Sequence, residues 1–163
     1  MMVQFGHRCY LKPREPPAKE VTPLQLAFFD FECYADANGV HHVNLVTVLY
    51  QNSEEFFIFD SIHEFYEWLV DLRHDEFRFI AHNSAGYDAQ FILKHMIDNC
   101  FTPDTITNGT KIIQMKVKRN NLTITFIDSL NFMNRPLSKL PSMFGIDNEV
   151  RKKAELKIGE SEA

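Results

Sequence analysis

Apolar positions recur along the chain with the two periods that distinguish strands from helices. Runs of strand character, bounded by turn residues, predict six strands, at residues 24–33, 43–50, 56–59, 77–81, 111–118 and 122–128. Positions of helical period predict three helices, one that begins after Ser61 and two at residues 87–97 and 136–144. Ser61 is the expected cap of the first helix, because Glu64 lies three residues further on, as in a capping box.

This order of elements predicts an α/β fold with a ribonuclease-H-like mixed sheet flanked by helices and an added β-hairpin. Three consecutive antiparallel strands, a crossover helix and a fourth strand would bring the first and fourth strands side by side and parallel. Residues 1–23 are rich in proline and charge and are predicted to be an N-terminal arm. We expect the domain at residues 24–148 and a charged tail at residues 149–163.

Composition favours one folded domain inside the cell. The chain has 163 residues, 45% of them apolar and fifteen of them Phe, which is enough for a core. No apolar run is long enough to span a bilayer, so we expect no membrane partner. Cys9, Cys33 and Cys100 are odd in number and widely spaced, as expected of reduced thiols in an intracellular, reducing compartment.

Charge is distributed unevenly along the sequence. Residues 1–110 carry a formal charge of −9, from seven Lys or Arg and sixteen Asp or Glu. Residues 111–163 carry +4, from ten basic and six acidic residues. An acidic region that holds metals and a basic region that holds phosphates would give this distribution, and so would ordinary surface charge.

Two carboxylates stand at the end of the first predicted strand. Because side chains alternate along a strand, Asp30 and Glu32 share one face with the apolar Leu26 and Phe28. Two anions on an apolar face cost free energy unless a cation neutralises them, and carboxylates with substrate phosphates are typical ligands of Mg²⁺. The pair therefore indicates metal-assisted phosphoryl chemistry. The alternative is that the strand ends here and both acids point into water.

A third carboxylate follows the fourth predicted strand. Asp88 stands at the start of the second predicted helix, where an Asp is most often a cap that accepts backbone N–H groups. The predicted strand order would nevertheless bring Asp88 to the same rim of the sheet as Asp30 and Glu32. Three carboxylates that converge on one point are hard to explain by capping.

At these positions the chain resembles the family B DNA polymerases. Asp30-Phe31-Glu32 resembles their first exonuclease motif, and the segment from Asn83 to Asp88 resembles the second. Phe126-Ile127-Asp128-Ser129-Leu130 is similar to the Ser-Leu segment that contacts single-stranded DNA in protein-primed members. Four longer strings resemble the polymerases of Polinton/Maverick-type mobile elements and related viruses, namely His7-Arg8-Cys9-Tyr10, Ala81-His82-Asn83, Asn108-Gly109-Thr110-Lys111 and Leu137-Ser138-Lys139-Leu140-Pro141.

The resemblance implies a 3′–5′ proofreading exonuclease that hydrolyses phosphodiesters with two Mg²⁺ or Mn²⁺ ions. It implies that Asp30 bridges both ions, that Glu32 completes the shell of the water-activating ion, and that Asp88 anchors the second ion. The implied partner is the 3′ end of single-stranded DNA. A terminal protein and the remainder of a polymerase are further expected partners.

The same resemblance implies a set of substrate contacts. Asn83 and Tyr87 would hold the frayed 3′ end, Ser129 and Leu130 would pack against the same strand, and Lys153 would lie near the attacked phosphate. For Leu130, plain core packing is an equally good interpretation. Asp128 is interpreted as structural and not as a metal ligand.

The chain departs from the family pattern in its last segment. The third exonuclease motif of the family supplies a Tyr and a fourth carboxylate, and no Tyr follows Tyr87 here. We therefore expect the front of a polymerase, cut off inside its exonuclease domain, with weak metal-dependent nuclease activity or none. One alternative is an inactive module that binds single-stranded nucleic acid or a protein. The other is a nonfunctional remnant whose exposed apolar sheet face favours self-association.

Overall fold

The computed structural model describes residues 23–146, which form a seven-stranded sheet with helices packed on it. The strands are β1 Leu26–Ala35, β2 His41–Tyr50, β3 Phe56–Phe59, β4 Arg78–Ala81, β5 Asp104–Asn108, β6 Lys111–Arg119 and β7 Leu122–Asp128. The α-helices are α1 Ile62–Leu69, α2 Asp88–Asp98 and α3 Leu140–Met143. Four 3₁₀ turns add Leu72–His74, Ser84–Gly86, Ser129–Asn131 and Leu137–Lys139.

The sheet is mixed and has the strand order β3-β2-β1-β4-β7-β6-β5. β4 lies between β1 and β7 and is parallel to both, while every other neighbouring pair is antiparallel. The predicted α/β fold, with its first and fourth strands side by side and parallel, is thus confirmed. The predicted hairpin of β6 and β7 belongs to this main sheet.

Local sequence explains where the first strand and the first helix form. Along β1 the burial alternates, so that Phe29 and Phe31 are buried and their neighbours are not. The Ser61 side chain accepts the backbone N–H of Glu64 at 3.2 Å and so caps α1. The Glu64 carboxylate accepts the N–H of Asp60, one residue before the position that a capping box predicts.

One face of the sheet and the helices α1 and α2 enclose the hydrophobic core. Phe29 lies at its centre, with four aromatic rings at centroid distances of 5.6–6.5 Å, those of Phe31, Phe65, Phe79 and Phe126. Apolar residues of α1 and α2 belong to the same buried cluster. The two helices therefore cover the face of the sheet to which Phe29 and Phe31 point.

The opposite face of the sheet carries an apolar band that crosses five strands. Its members are cross-strand neighbours in the register of the sheet, in the order Phe56, Leu49, Phe28, Ile80 and Ile127. Phe28 and Phe56 are 43% and 51% exposed, and the other three are half-buried. This band will be called the open-face band.

The predicted arm and tail lie outside the described residues, apart from residue 23, and so does Lys153. Within residues 23–146, no helix has the length and the apolar composition that crossing a bilayer would require.

Candidate active site

The structure brings Asp88 against the backbone of β1 at the level of Asp30 and Glu32. Asp88 is the first residue of α2, is only 4% exposed, and accepts the Phe31 N–H on Oδ1 at 3.2 Å. Because Phe31 separates Asp30 from Glu32, the Asp88 carboxylate lies beside the segment that carries both. Asp30 and Glu32 keep contact with solvent and point to the face opposite Phe31, although the surrounding chain partly desolvates the Asp30 carboxylate.

Two of these carboxylates, Asp88 and Asp30, have a raised pKa. Burial, and secondarily the charge of Asp30, raises the pKa of Asp88 to about 6. Burial, followed by the charge of Glu32, raises the pKa of Asp30. Among residues 23–146, no ion pair within 4.0 Å joins any of the three to a Lys, Arg or His. The site therefore concentrates negative charge that a bound cation would offset.

The donor set fits a hard divalent cation by its chemistry, since carboxylate oxygens are the ligands that Mg²⁺ and Mn²⁺ favour. Over the part of the chain that the structure describes, no group of three or more His, Cys, Asp or Glu has a metal-binding arrangement. Asp30, Glu32 and Asp88 are therefore neighbours that do not form a closed coordination shell.

The Tyr87 side chain is fixed next to these carboxylates. Its hydroxyl lies 2.9 Å from His41 Nδ1, and its ring meets the Phe91 ring edge-on at 5.2 Å. A hydrogen bond with the Cys33 thiol is the main cause that raises the pKa of Tyr87 to about 12. Tyr87 is therefore a neutral phenol near pH 7, with 36% of its surface exposed.

Asp128 holds the loop that leads from β4 to Asp88. Asp128 is buried and accepts three backbone N–H groups at 2.8–2.9 Å, those of Asn83, Ala85 and Leu130. Asn83, at φ 65° and ψ 23°, has left-handed backbone, which Asn tolerates better than most residues. Asp128 has the structural role that the sequence analysis gave it, and it orients Asn83 in the process.

Ser129 is oriented by a histidine. His82 Nε2 lies 2.9 Å from the Arg135 carbonyl, which only accepts, so this nitrogen carries the proton in neutral His82. Nδ1 then accepts the Ser129 hydroxyl at 2.9 Å. Ser129 is buried, and its hydroxyl is already engaged by His82.

Leu130 lies on a cleft of about 290 Å³ that Asn83 and Ala85 also line. Leu130 is half-buried and is not a member of the hydrophobic core, which favours the substrate interpretation over core packing. Asn108 and Lys111 line the same cleft, a role that sequence reasoning missed although both belong to one of the strings that resemble the family. The Asn-Gly turn between β5 and β6 is the sequence signal that could have identified them.

The raised pKa of Asp88 predicts an unusual dependence of stability on pH in metal-free buffer. The folded state binds this proton more tightly than the unfolded state, so the ionised carboxylate destabilises the fold above about pH 6. The penalty falls as the pH drops through 6 towards 3.8, by up to about 3 kcal/mol. Urea unfolding of the native chain and of Asp88→Asn, in EDTA at several pH values, gives the two free energies of unfolding. The difference between them at each pH measures the penalty. A difference that does not change between pH 7 and 4 would contradict this prediction.

Asp128→Asn is expected to destabilise the fold by about 2–3 kcal/mol. An amide has only one acceptor oxygen, so at least one of the three N–H groups that Asp128 accepts would face an NH₂ group. Asp75→Asn is the matched control, because Asp75 is exposed and accepts a single backbone N–H. Chemical denaturation measures both, and equal losses would show that Asp128 does not organise the loops.

Comparisons with known proteins agree with the fold and with the resemblance. Residues 70–159 match the family model described as DNA polymerase type B, organellar and viral. Three solved structures of phi29 DNA polymerase, complexed with single-stranded DNA, with primer-template DNA, and with primer-template DNA and incoming nucleotides, each superpose with a TM-score of 0.65 at 18% identity. Each match covers 77% of this chain and 24% of the phi29 polymerase chain, so the chain spans about a quarter of that polymerase. No curated protein matched.

Proposed function

Because the chain belongs to the type B DNA polymerases of the organellar and viral kind, we propose that it forms most of a 3′–5′ exonuclease domain of a protein-primed polymerase. The proposed reaction is metal-dependent hydrolysis of the last phosphodiester at the 3′ end of single-stranded DNA. The observation that carries the proposal is the hydrogen bond from the Phe31 N–H to Asp88, which brings a third carboxylate to Asp30 and Glu32. We propose an intracellular location for the protein, because its proposed substrate is DNA.

Asp30, Glu32 and Asp88 are the residues that would hold the metal. Membership of this polymerase family suggests use of a divalent metal, for which we propose Mg²⁺ or Mn²⁺. When bound, two such ions activate the attacking water and stabilise the departing 3′ oxygen. In this proposal Asp30 would hold both ions, Glu32 would orient the attacking water, and Asp88 would hold the second ion. The raised pKa values of Asp30 and Asp88 support this assignment, because bound cations would relieve the repulsion.

The substrate contacts that we propose lie around the same loop. Asn83 and Tyr87 would hold the terminal nucleotide, and the fixed, partly exposed ring of Tyr87 offers a base a surface for stacking. Such stacking is worth about 1–3 kcal/mol per base and tolerates any sequence, as proofreading demands. Leu130 would pack against the strand at the cleft, with Ser129 held behind it by His82. Lys153 stays a predicted phosphate contact outside the described residues.

A catalytically inactive module that binds single-stranded nucleic acid or a protein is the second candidate. It is favoured by the lack of a closed metal-binding group among residues 23–146. Such a module would bind single-stranded DNA equally well with Mn²⁺ and with EDTA, and would leave the strand intact.

Single-stranded DNA labelled at its 5′ end distinguishes the two functions. The exonuclease is expected to give a ladder of shortened products with Mg²⁺ or Mn²⁺, and none with EDTA. Blocking the 3′ hydroxyl of the substrate should suppress the ladder. Strand binding with no ladder under any metal condition would refute the exonuclease and leave the binding module.

A further inference from the structure

The turn between β5 and β6 forms one wall of the cleft that Asn83 and Leu130 line. Asn108 and Lys111 pair across this turn and both line the cleft. Gly109, at φ 61°, supplies the left-handed backbone that so tight a turn needs. The β5–β6 hairpin thus brings a cation to a cleft whose other walls belong to the loops after β4 and β7.

Lys111 is free to bind an anion. No ion pair within residues 23–146 involves Lys111. The carboxylate that lines the cleft belongs to Asp128, whose two oxygens already accept three backbone N–H groups. A phosphate in the cleft would therefore meet an exposed ammonium group, while the nearby carboxylate is already engaged.

Gln90 fastens the turn to the loop after β4. Its Nε2 donates to the Ala85 carbonyl at 3.1 Å and to the Thr110 carbonyl at 3.0 Å. Ala85 lies three residues before Asp88, and Thr110 directly precedes Lys111. One amide group therefore sets the position of Lys111 relative to the carboxylate site.

The remaining lining is suited to a nucleobase. Ile113 and Leu130 provide apolar surface, while Asn83, Asn108, Asn131 and Asn134 provide side-chain amides. An amide both donates and accepts hydrogen bonds, so a set of them can match the edge of any base. A volume of about 290 Å³ lies just below the usual range for ligand sites, about 300–1,000 Å³, which limits the cleft to a single nucleotide.

We propose that this cleft binds one internal nucleotide of the DNA strand, with its phosphate on Lys111 and its base against Leu130 and Ile113. Gln90 is the positioning residue for Lys111. The identity of the ligand rests on the proposed function. In the proposed reaction the 3′-terminal nucleotide lies at the carboxylates. The cleft would then receive a nucleotide to its 5′ side, which is an internal one.

Lys111→Met tests the phosphate contact through binding alone. We expect severalfold weaker affinity for a fluorescent oligo-dT in EDTA, and a salt dependence of log K that is smaller by about 0.7. Lys118→Met is the matched control, because Lys118 lies on the same strand, about 23 Å further along, and pairs with Asp104. An unchanged salt dependence in Lys111→Met, or an equal reduction in Lys118→Met, would overturn the proposal.

Gln90→Leu tests the positioning role. We expect it to reduce the salt dependence as Lys111→Met does, and we expect the double variant to bind no more weakly than Lys111→Met alone. Full additivity of the two effects would overturn the role of Gln90. Both measurements are made without metal, so they are independent of the nuclease assay. If the ladder forms but the affinity for DNA does not depend on Lys111, only this inference is refuted. If the affinity depends on Lys111 but no ladder forms, only the exonuclease is refuted.

Discussion

Asp30→Asn is expected to reduce the Mn²⁺-dependent shortening of single-stranded DNA by on the order of 100-fold or more. Metal ions stabilise the charge of a phosphoryl-transfer transition state by several kcal/mol, and each 1.36 kcal/mol is a factor of ten in rate. In the proposed site, Asp30 would hold both ions. Replacing its carboxylate with an amide keeps the shape of the side chain and removes the negative charge that both ions need.

The same substitution should have the opposite effect on stability when metal is absent. Burial and the charge of Glu32 raise the pKa of Asp30, so ionised Asp30 disfavours the folded state at pH 7. Asp30→Asn removes that penalty and also relieves the repulsion that Asp88 experiences. We therefore expect Asp30→Asn to melt at or above the temperature of the native chain in EDTA. Added Mn²⁺ should raise the melting temperature of the native chain only.

Asp104→Asn serves as the control for both measurements. Asp104 lies on β5, four strands from β1 and thus about 19 Å away, and it pairs with Lys118. Its replacement should leave both the ladder and the response to Mn²⁺ unchanged. Undiminished activity of Asp30→Asn would refute the catalytic role of Asp30. Equal stabilisation of the native chain and Asp30→Asn by Mn²⁺ would show that the metal binds elsewhere.

Much of the fold could be predicted from the sequence because most strands bury one face. Alternation in β1 and the Ser61 cap are local signals that tertiary structure did not override. The strand Asp104–Asn108 was missed because all five of its residues are exposed at the edge of the sheet, so no pattern of burial marks them. This strand exists through its pairing with β6, which a local pattern does not show.

The residues of the candidate site likewise fall into those that the sequence predicts and those that only the tertiary structure shows. The acidic residues were identifiable because Asp30 and Glu32 lie on one face of a strand whose other face is buried and Asp88 begins a helix. The roles of Gln90 and Lys111 could not be predicted, because each depends on a contact with a segment that is distant in the sequence. The order of the strands brings these segments together. The Asn-Gly turn marks the hairpin that carries Lys111, but it does not show which segments this hairpin meets.

Phe29→Ala is expected to destabilise the domain by about 3–5 kcal/mol, whereas Phe28→Ala should cost no more than about 1 kcal/mol. Phe29 is 5% exposed at the centre of the aromatic cluster, and no smaller side chain would fill the cavity. Phe28 is 43% exposed on the open-face band. The two residues share a strand and a chemistry and differ only in the face to which they point.

Urea denaturation of the native chain and both variants measures this contrast. Each substitution removes a strand-favouring aromatic, so the loss of β-propensity, about 1 kcal/mol or less, is common to both and cancels in their difference. What remains is the difference between burial under α1 and α2 and exposure on the opposite face. If Phe28→Ala destabilised the chain as much as Phe29→Ala, the open-face band would have to be covered in solution. In that case a loss for Phe28→Ala that grew with protein concentration would identify a second copy of the chain as the cover, because only association depends on concentration.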